Sequence, residues 1–290
     1  MRWIPGGRSR NLEDRRGASG GGGFGGGGFG GGGRRVGLGG LVVLIALSVI
    51  FKKDLVSDFV GMGAAPGEGG AGVQSEMPLQ DSTEEGMVLF MSSVLDSAQL
   101  GWSRAVPGYR DAKLVLFRNA IESACGFAES ATGPFYCPGD QKVYIDLAFF
   151  EQLDRQFGAP GDFAQAYVLA HEIGHHVQNV LGMERELRAA QQRDPQNKNR
   201  LSVAMELQAD CYAGVWAHQA ARNGQLQPGD LDEGLSAASA VGDDRLQRMG
   251  SGRVNPESFT HGSSAERARW FRRGFDSGDA NQCDTFASVR

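Results

Sequence analysis

The sequence predicts an α+β domain that is mostly helical, carries a small β-sheet and follows a single transmembrane helix. Two long segments, 162–181 and 201–221, have apolar residues at helical spacing. Two short runs rich in β-branched and aromatic residues, 113–117 and 142–147, are typical of strands. An uncharged apolar run at 36–51 accounts for the predicted membrane helix.

Composition divides the chain into segments. The glycine tract at 19–33 cannot supply a hydrophobic core, so it predicts disorder. We therefore expect a disordered Arg/Gly-rich leader at 1–35, a transmembrane anchor at 36–53, a linker at 54–85 and one folded domain at 86–290. A domain of roughly 200 residues is long enough to bury a sizeable core.

The apolar run at 36–51 is slightly shorter than the roughly 20 residues of a typical span, but flanking lysine stems extend it. A cleaved signal peptide is disfavoured because the run starts late in the chain and no A-x-A site follows it. Seven arginines precede the run, although Lys52 and Lys53 oppose this bias. The predicted topology is a single-pass membrane protein that contacts lipid through 36–53, with a cytoplasmic N-terminus and an extracytoplasmic domain, periplasmic or at the cell surface.

Charge and cysteine content indicate the kinds of partner and compartment. The whole chain has a net charge of −5, and its first 53 positions hold nine basic and two acidic residues, so the folded domain is strongly acidic. An acidic domain argues against a nucleic-acid partner. The four cysteines allow two disulfides in three connectivities, and the short loop between Cys125 and Cys137 favours that pair. Disulfides would agree with an oxidising compartment.

The first long helix contains the pattern H-E-x-x-H, formed by His171, Glu172 and His175. The two histidines lie one helical turn apart, so both imidazoles can bind one ion. Glu172 lies about 100° around the axis, where its carboxylate can take a proton from a metal-activated water. Asp162 as an N-cap and Gly182 as a helix stop bracket the segment. The alternative is a solvated histidine cluster without a metal.

A catalytic zinc site takes three protein ligands, so a third ligand must come from elsewhere in the chain. Glu206, in the second long helix, is the best candidate, and Asp210 lies one turn later on the same face. Asp210 can then accept a proton from the far nitrogen of a ligand imidazole and orient that ring. The alternative for this pair is an ordinary acidic face on an exposed helix.

The remaining histidines are weaker candidates. His176 lies about 140° from His171 around the helix, so we expect it to pack or to support a ligand rather than bind the ion. His218 is expected to be a surface or core residue. His261 sits in a polar loop before a helix through 266–271, and such a loop can bring an imidazole to the oxyanion of a tetrahedral intermediate. Helix capping is the alternative role of this loop.

Several motifs follow one another along the domain: Ala124-Cys125-Gly126, Gly133 to Pro138, Val143 to Leu147, the zinc helix to Gln178-Asn179, Glu206 to Asp210, and His261 to Phe275. Through them the stretch from about Gly86 to Arg290 resembles the putative neutral zinc metallopeptidases. Its metal site also resembles that of the gluzincins. The resemblance implies a zincin-like fold and one Zn²⁺ ion held by His171, His175 and Glu206. It also implies that Glu172 is the catalytic base.

The sequence therefore predicts a membrane-anchored, zinc-dependent metallopeptidase that acts on peptide or protein substrates, and we expect an endopeptidase. Two alternatives remain open: a catalytically silent zinc-binding scaffold, which would not need Glu172, and a metal-dependent hydrolase of a non-peptide bond. Either one of the strands at 113–117 and 142–147 is an edge strand over the zinc helix, or both belong to a plain core sheet. The segment 231–247 predicts one further helix.

Overall fold

The computed structural model describes residues 1–3, 6–17 and 82–289. The predicted membrane anchor at 36–53 and nearly all of the predicted linker lie outside these ranges. None of the helices within them is both long enough and apolar enough to cross a membrane. The membrane anchor therefore stays a prediction.

Helices make up most of the described domain, which confirms the predicted α+β class with a helical majority. The α-helices in the described ranges are α1 (Ser82–Ala105), α2 (Ala148–Arg155), α3 (Asp162–Val180), α4 (Met183–Arg193), α5 (Lys198–Arg222), α6 (Asp230–Ala240), α7 (Asp243–Gly250) and α8 (Ser264–Ser277). The two long helices predicted from the sequence are α3 and α5. Helix α1 begins inside the predicted linker, where Glu84 and Glu85 place negative charge in its first turn.

A four-stranded sheet packs beside α3. Its order is β1-β2-β6-β5, made of β1 (Leu12–Asp14), β2 (Lys113–Phe117), β6 (Lys142–Asp146) and β5 (Phe135–Cys137), while β3 (Ala120–Ser123) and β4 (Gly126–Glu129) form a separate hairpin. Strands β1, β2 and β6 are parallel, and β5 runs antiparallel to β6. Both strands predicted from the sequence are interior strands, so the core-sheet alternative is correct. The edge strand next to α3 is β5.

The two long helices cross closely because α3 has no side chain at Gly174. A Cβ atom built there would lie 2.9 Å from the carbonyl oxygen and 3.1 Å from the Cα of Ala209 in α5. Helices α5 and α8 approach each other in the same way, since a Cβ on Gly274 would overlap the carbonyl oxygen of Cys211. These two crossings set α5 between α3 and α8, and they bring together the segments of α3 and α5 that carry the predicted metal ligands.

The segment 231–247, predicted as one helix, forms the two helices α6 and α7. The break lies at Val241 and Gly242, where the backbone of Gly242 packs directly on Ser264 and leaves no room for a Cβ atom. The chain therefore turns at the start of α8. As a result Asp243, which the prediction placed inside a helix, becomes the first residue of α7.

Two disulfides are present. Cys125 pairs with Cys137, which confirms the predicted pairing and ties the β3–β4 hairpin to the edge strand β5. Cys211 pairs with Cys283, and this bond ties the C-terminal tail to α5. Both bonds hold segments that border α3 or α5.

Residues 6–17, which we call the N-terminal strap, pack against the domain. Glu13 in β1 accepts hydrogen bonds from Lys142 Nζ at 3.0 Å, and the buried Arg16 donates to Glu84 at 3.0 Å. The prediction that the leader is disordered is therefore wrong for the strap. Its order comes from strand pairing and from charged partners far away in the sequence, which local composition does not reveal.

The position of the strap bears on the predicted topology. A single membrane crossing at 36–53 would put the strap and the domain on opposite sides of the membrane. In the described structure, however, β1 of the strap is hydrogen-bonded to β2 of the domain. The two segments share one side of any membrane when they are paired in this way, so a single crossing and this sheet cannot hold in the same molecule.

Candidate metal centre

Helix α3 carries two of the predicted ligands on one face. The ring centroids of His171 and His175 lie 4.8 Å apart, and both side chains are largely buried. The helix begins at Asp162, which is its first residue and not the N-cap as predicted. The capping interaction comes instead from Glu233, which accepts the backbone N–H of Phe163 at 3.1 Å.

Helix α5 brings the third predicted ligand to the same place. Glu206 Oε2 lies 3.2 Å from His171 Nε2, and Glu206 Oε1 lies 3.5 Å from His175 Nε2. One ligand atom from each of the three side chains falls within 4.8 Å of the others. The structure therefore brings together the three residues that the sequence predicted as metal ligands.

The spacing of these donor atoms fits a zinc ion. Ligands bound tetrahedrally at about 2.0–2.1 Å from zinc are about 3.4 Å from one another. The two measured separations, 3.2 and 3.5 Å, run from the two histidines to different oxygens of Glu206, and both are close to that value. Two imidazoles and one carboxylate also form a donor set typical of catalytic zinc, which leaves a fourth position for water.

The negative charge around the cluster favours a positive group at the histidine nitrogens, either a proton or a metal ion. Burial alone would lower the pKa of His171, but the charge of Asp210 and the hydrogen bonds that the ring donates to Asp210 and Glu206 raise it to about 9. Burial alone would raise the pKa of Glu206, yet the nearby histidines hold it well below its ordinary value. A metal ion would take the lone pair that the proton occupies at Nε2 and would satisfy the same negative charge.

Glu172, the predicted base, follows His171 on α3 and is buried, with 7% of its surface exposed. Among the residues that the structure describes, no group donates a hydrogen bond to its carboxylate. A buried carboxylate without a fixed donor is free to accept a proton from a group that enters the site.

Asp210 lies where the sequence predicted, one turn beyond Glu206, and it is completely buried. Its Oδ1 accepts a hydrogen bond from His171 Nδ1 at 2.8 Å and another from the Tyr167 hydroxyl at 2.5 Å. Because Nδ1 of His171 donates to this carboxylate, Nε2 is the nitrogen that faces Glu206. Asp210 therefore orients the ring as expected.

Sequence reasoning missed the residue that compensates the charge of Asp210. Arg267 in α8 donates from Nε to Asp210 Oδ2 at 2.8 Å and from Nη2 to Oδ1 at 3.0 Å. Only 4% of its surface is exposed. Burial alone would raise the pKa of Asp210, but the charge of Arg267 holds it below its ordinary value. Asp210 is thus an anion when it orients His171.

His261 lies in the loop between α7 and α8, which is built around Asp243. Asp243 Oδ2 accepts the backbone N–H groups of Thr260, His261 and Gly262, and Oδ1 lies 3.2 Å from His261 Nδ1. The partial loss of water around the ring would lower the pKa of His261, but the hydrogen bond with Asp243 and the charge of Glu206 raise it. Its side chain remains 52% exposed. The loop therefore holds an imidazole near the metal ligands and accessible to a substrate.

The other two histidines are structural. Nδ1 of His176 lies 3.0 Å from the hydroxyl of Tyr136 in β5, and Nε2 of His176 donates to the carbonyl oxygen of Arg110 at 2.6 Å. It therefore packs the edge strand onto α3, which agrees with its predicted role. His218 donates from Nδ1 to the carbonyl oxygen of Phe275 and joins α5 to α8.

Comparisons with known proteins point the same way. The family model described as "Putative neutral zinc metallopeptidase" matches residues 1–286. The chain is 46% identical over 289 residues to the uncharacterized protein YpfJ of Escherichia coli strain K12, with 99% of each chain covered. It is also 46% identical over 205 residues to the uncharacterized protein Rv2575 of Mycobacterium tuberculosis strain H37Rv, covering 67% of this chain and 69% of the relative. No solved structure matches the chain.

The family match covers both the metal-binding helices and the N-terminal strap. It spans nearly the whole sequence, and the Escherichia coli relative is similar over the same extent. The chain belongs to the putative neutral zinc metallopeptidase family.

Proposed function

We propose that this chain is a zinc-dependent peptidase that hydrolyses peptide bonds in peptide or protein substrates, with one Zn²⁺ ion held by His171, His175 and Glu206. The observation that carries the proposal is the spacing of these donor atoms, 3.2 and 3.5 Å, beside the buried carboxylate of Glu172. A scaffold that only binds zinc would have no use for a buried acid at this position.

The chemistry follows from the placement of the side chains. When bound, Zn²⁺ supplies a Lewis acid that acidifies a water molecule and polarises a carbonyl group. Glu172 accepts the proton of the attacking water on its free carboxylate and passes it to the leaving amine. His261, held by Asp243, donates a hydrogen bond from its exposed side to the oxyanion that develops on the substrate.

The edge strand β5 is suited to hold an extended substrate. Its partner β6 occupies one side, and β5 itself forms the border of the four-stranded sheet. The contact between Tyr136 and His176 fixes this strand to α3. A peptide that adds to the outer edge by backbone hydrogen bonds would lie beside the zinc helix. Internal segments of a chain can bind in this way, which favours an endopeptidase.

The site of action is also part of the proposal. The two disulfides favour an enzyme that works outside the cytoplasm, and the apolar run at 36–53 favours attachment to the membrane with both ends of the run on the side that holds the strap and the domain. Because the strap and the domain share one side, we place the strap in the same compartment as the domain. This differs from the topology predicted from charge alone.

The test compares the full-length chain with Glu172→Gln in two assays, metal content and hydrolysis of a peptide library. We expect one equivalent of zinc in both proteins and hydrolysis only in the parent. His218→Gln is the matched control, because it removes a histidine far from the cluster and should keep both zinc and activity. Zinc without hydrolysis in the parent would refute the peptidase and favour a scaffold or a hydrolase of another bond. Absence of zinc from the folded parent would refute the metal site.

A further inference from the structure

The outer nitrogen of His175 faces a buried pair of glutamines. His175 Nδ1 lies 2.8 Å from Oε1 of Gln178, which is on the next turn of α3. Gln178 contacts Gln208 of α5, and the two side chains are 1% and 4% exposed. Buried amides of this kind are constrained by every polar neighbour they meet.

Two backbone carbonyl groups fix the orientation of these amides. The side-chain nitrogen of Gln178 donates to the carbonyl oxygen of Met205 at 2.8 Å and to Gln208 Oε1 at 3.1 Å. The side-chain nitrogen of Gln208 donates to the carbonyl oxygen of Cys283 at 2.9 Å. Because a carbonyl oxygen can only accept, neither amide can be reversed without setting oxygen against oxygen.

The orientation of the amides determines where the proton of His175 resides. Gln178 must present its oxygen to the ring, so Nδ1 carries the proton and donates it. Nε2 is then unprotonated in the neutral ring, and this is the nitrogen that lies 3.5 Å from Glu206 Oε1. His171 reaches the same tautomer through the charged Asp210. The two ligands are therefore oriented by chemically different partners, a carboxylate and an amide.

We propose that Gln178 and Gln208 form a positioning relay that holds His175 in the tautomer able to bind the metal, and that the Cys211–Cys283 disulfide anchors this relay. The disulfide holds the C-terminal tail on α5 and so fixes the carbonyl group that orients Gln208. This inference rests on the proposed zinc site and adds to it the residues that tune how tightly His175 binds the metal.

The test measures the zinc affinity of the full-length chain by competition with a chelator. Gln178→Met removes the acceptor for His175 Nδ1, and we expect zinc binding about 10- to 100-fold weaker, as for other partners of ligand histidines. Gln208→Met should cost less, since the carbonyl group of Met205 still orients Gln178. Asn179→Leu is the matched control, because this neighbour on α3 donates to the Tyr136 hydroxyl and touches no ligand.

A spectroscopic signature separates a misoriented ligand from a less stable protein. With Co²⁺ in place of Zn²⁺, the visible absorption bands report the geometry of the ligands. We expect them to change in Gln178→Met and to stay the same in Asn179→Leu, both recorded well below the temperature of unfolding. Equal zinc affinity in Gln178→Met and the parent would overturn the relay, and so would an equal loss in Asn179→Leu. A parent that binds no zinc would overturn the relay and the proposed zinc site together.

The two disulfides provide a second pair of matched variants. Replacing Cys211 and Cys283 by serine should weaken zinc binding, because the tail can then move away from Gln208. Replacing Cys125 and Cys137 by serine removes the other bond, which holds the hairpin on β5, and should leave zinc affinity as in the parent. Equal affinities in the two variants would overturn the anchoring role of the Cys211–Cys283 bond.

Discussion

The ion pair between Arg267 and Asp210 allows a quantitative prediction. Both side chains are buried, and two charged hydrogen bonds of 2.8 and 3.0 Å join them. Arg267→Met keeps much of the side-chain volume but leaves the buried Asp210 carboxylate without its guanidinium partner. Breaking a buried pair in this way costs about 3–5 kcal/mol. For a domain of this size each kcal/mol lowers the melting temperature by about 2–4 °C, so we expect a drop of about 10 °C.

The assay is thermal and urea unfolding of the full-length chain with a chelator present, so that metal binding does not contribute. Arg272→Met is the matched control, since Arg272 lies on the same helix in an exposed pair with Asp276. Exposed pairs contribute about 0–1 kcal/mol, so this variant should unfold almost as the parent does. A loss in Arg267→Met no larger than that in Arg272→Met would refute the reasoning.

Three further predictions follow from other contacts. Gly174→Ala should weaken zinc binding and lower the melting temperature, because the new methyl group meets the Ala209 carbonyl oxygen at 2.9 Å; parent-like values for both would contradict the close crossing. Asp243→Asn should move the alkaline limb of the kcat/KM profile to lower pH. Asp243 helps to raise the pKa of His261, and the protonated form of His261 is lost as the pH rises through that raised value. An unchanged alkaline limb would exclude a protonated His261 in catalysis. Cysteines introduced as Gly7→Cys in the strap and Gln192→Cys in α4 should react with an impermeant maleimide from the same side of the membrane, and labelling from opposite sides would contradict the pairing of β1 with β2.

The sequence predicted those parts of the site that depend on helical periodicity. His171 and His175, and likewise Glu206 and Asp210, are four residues apart, so each pair shares a helix face whatever the rest of the fold does. The strands at 113–117 and 142–147 were also found within one residue of their bounds, because their β-branched runs are local signals.

The remaining features depend on contacts between distant segments. Arg267 meets Asp210 across 57 positions of sequence, and Gln208 meets Cys283 across 75. No local pattern distinguishes these residues from ordinary members of polar helix faces. The strap was mispredicted for the same reason, since its charged partners lie on other elements. The break at Gly242 depends on the approach of Ser264 and has no local signal beyond a glycine.

The contact of His176 with Tyr136 has a consequence for how the proposed peptidase could vary between relatives. One rigid helix carries the ligands on one side and, one position after His175, the support for the edge strand. The offset between the ion and a strand-bound peptide is therefore set by helical geometry, 1.5 Å and 100° for each residue, and not by the length of any loop. Loops elsewhere could lengthen or shorten without shifting which peptide bond faces the metal, whereas inserting a single residue between His175 and His176 would shift it.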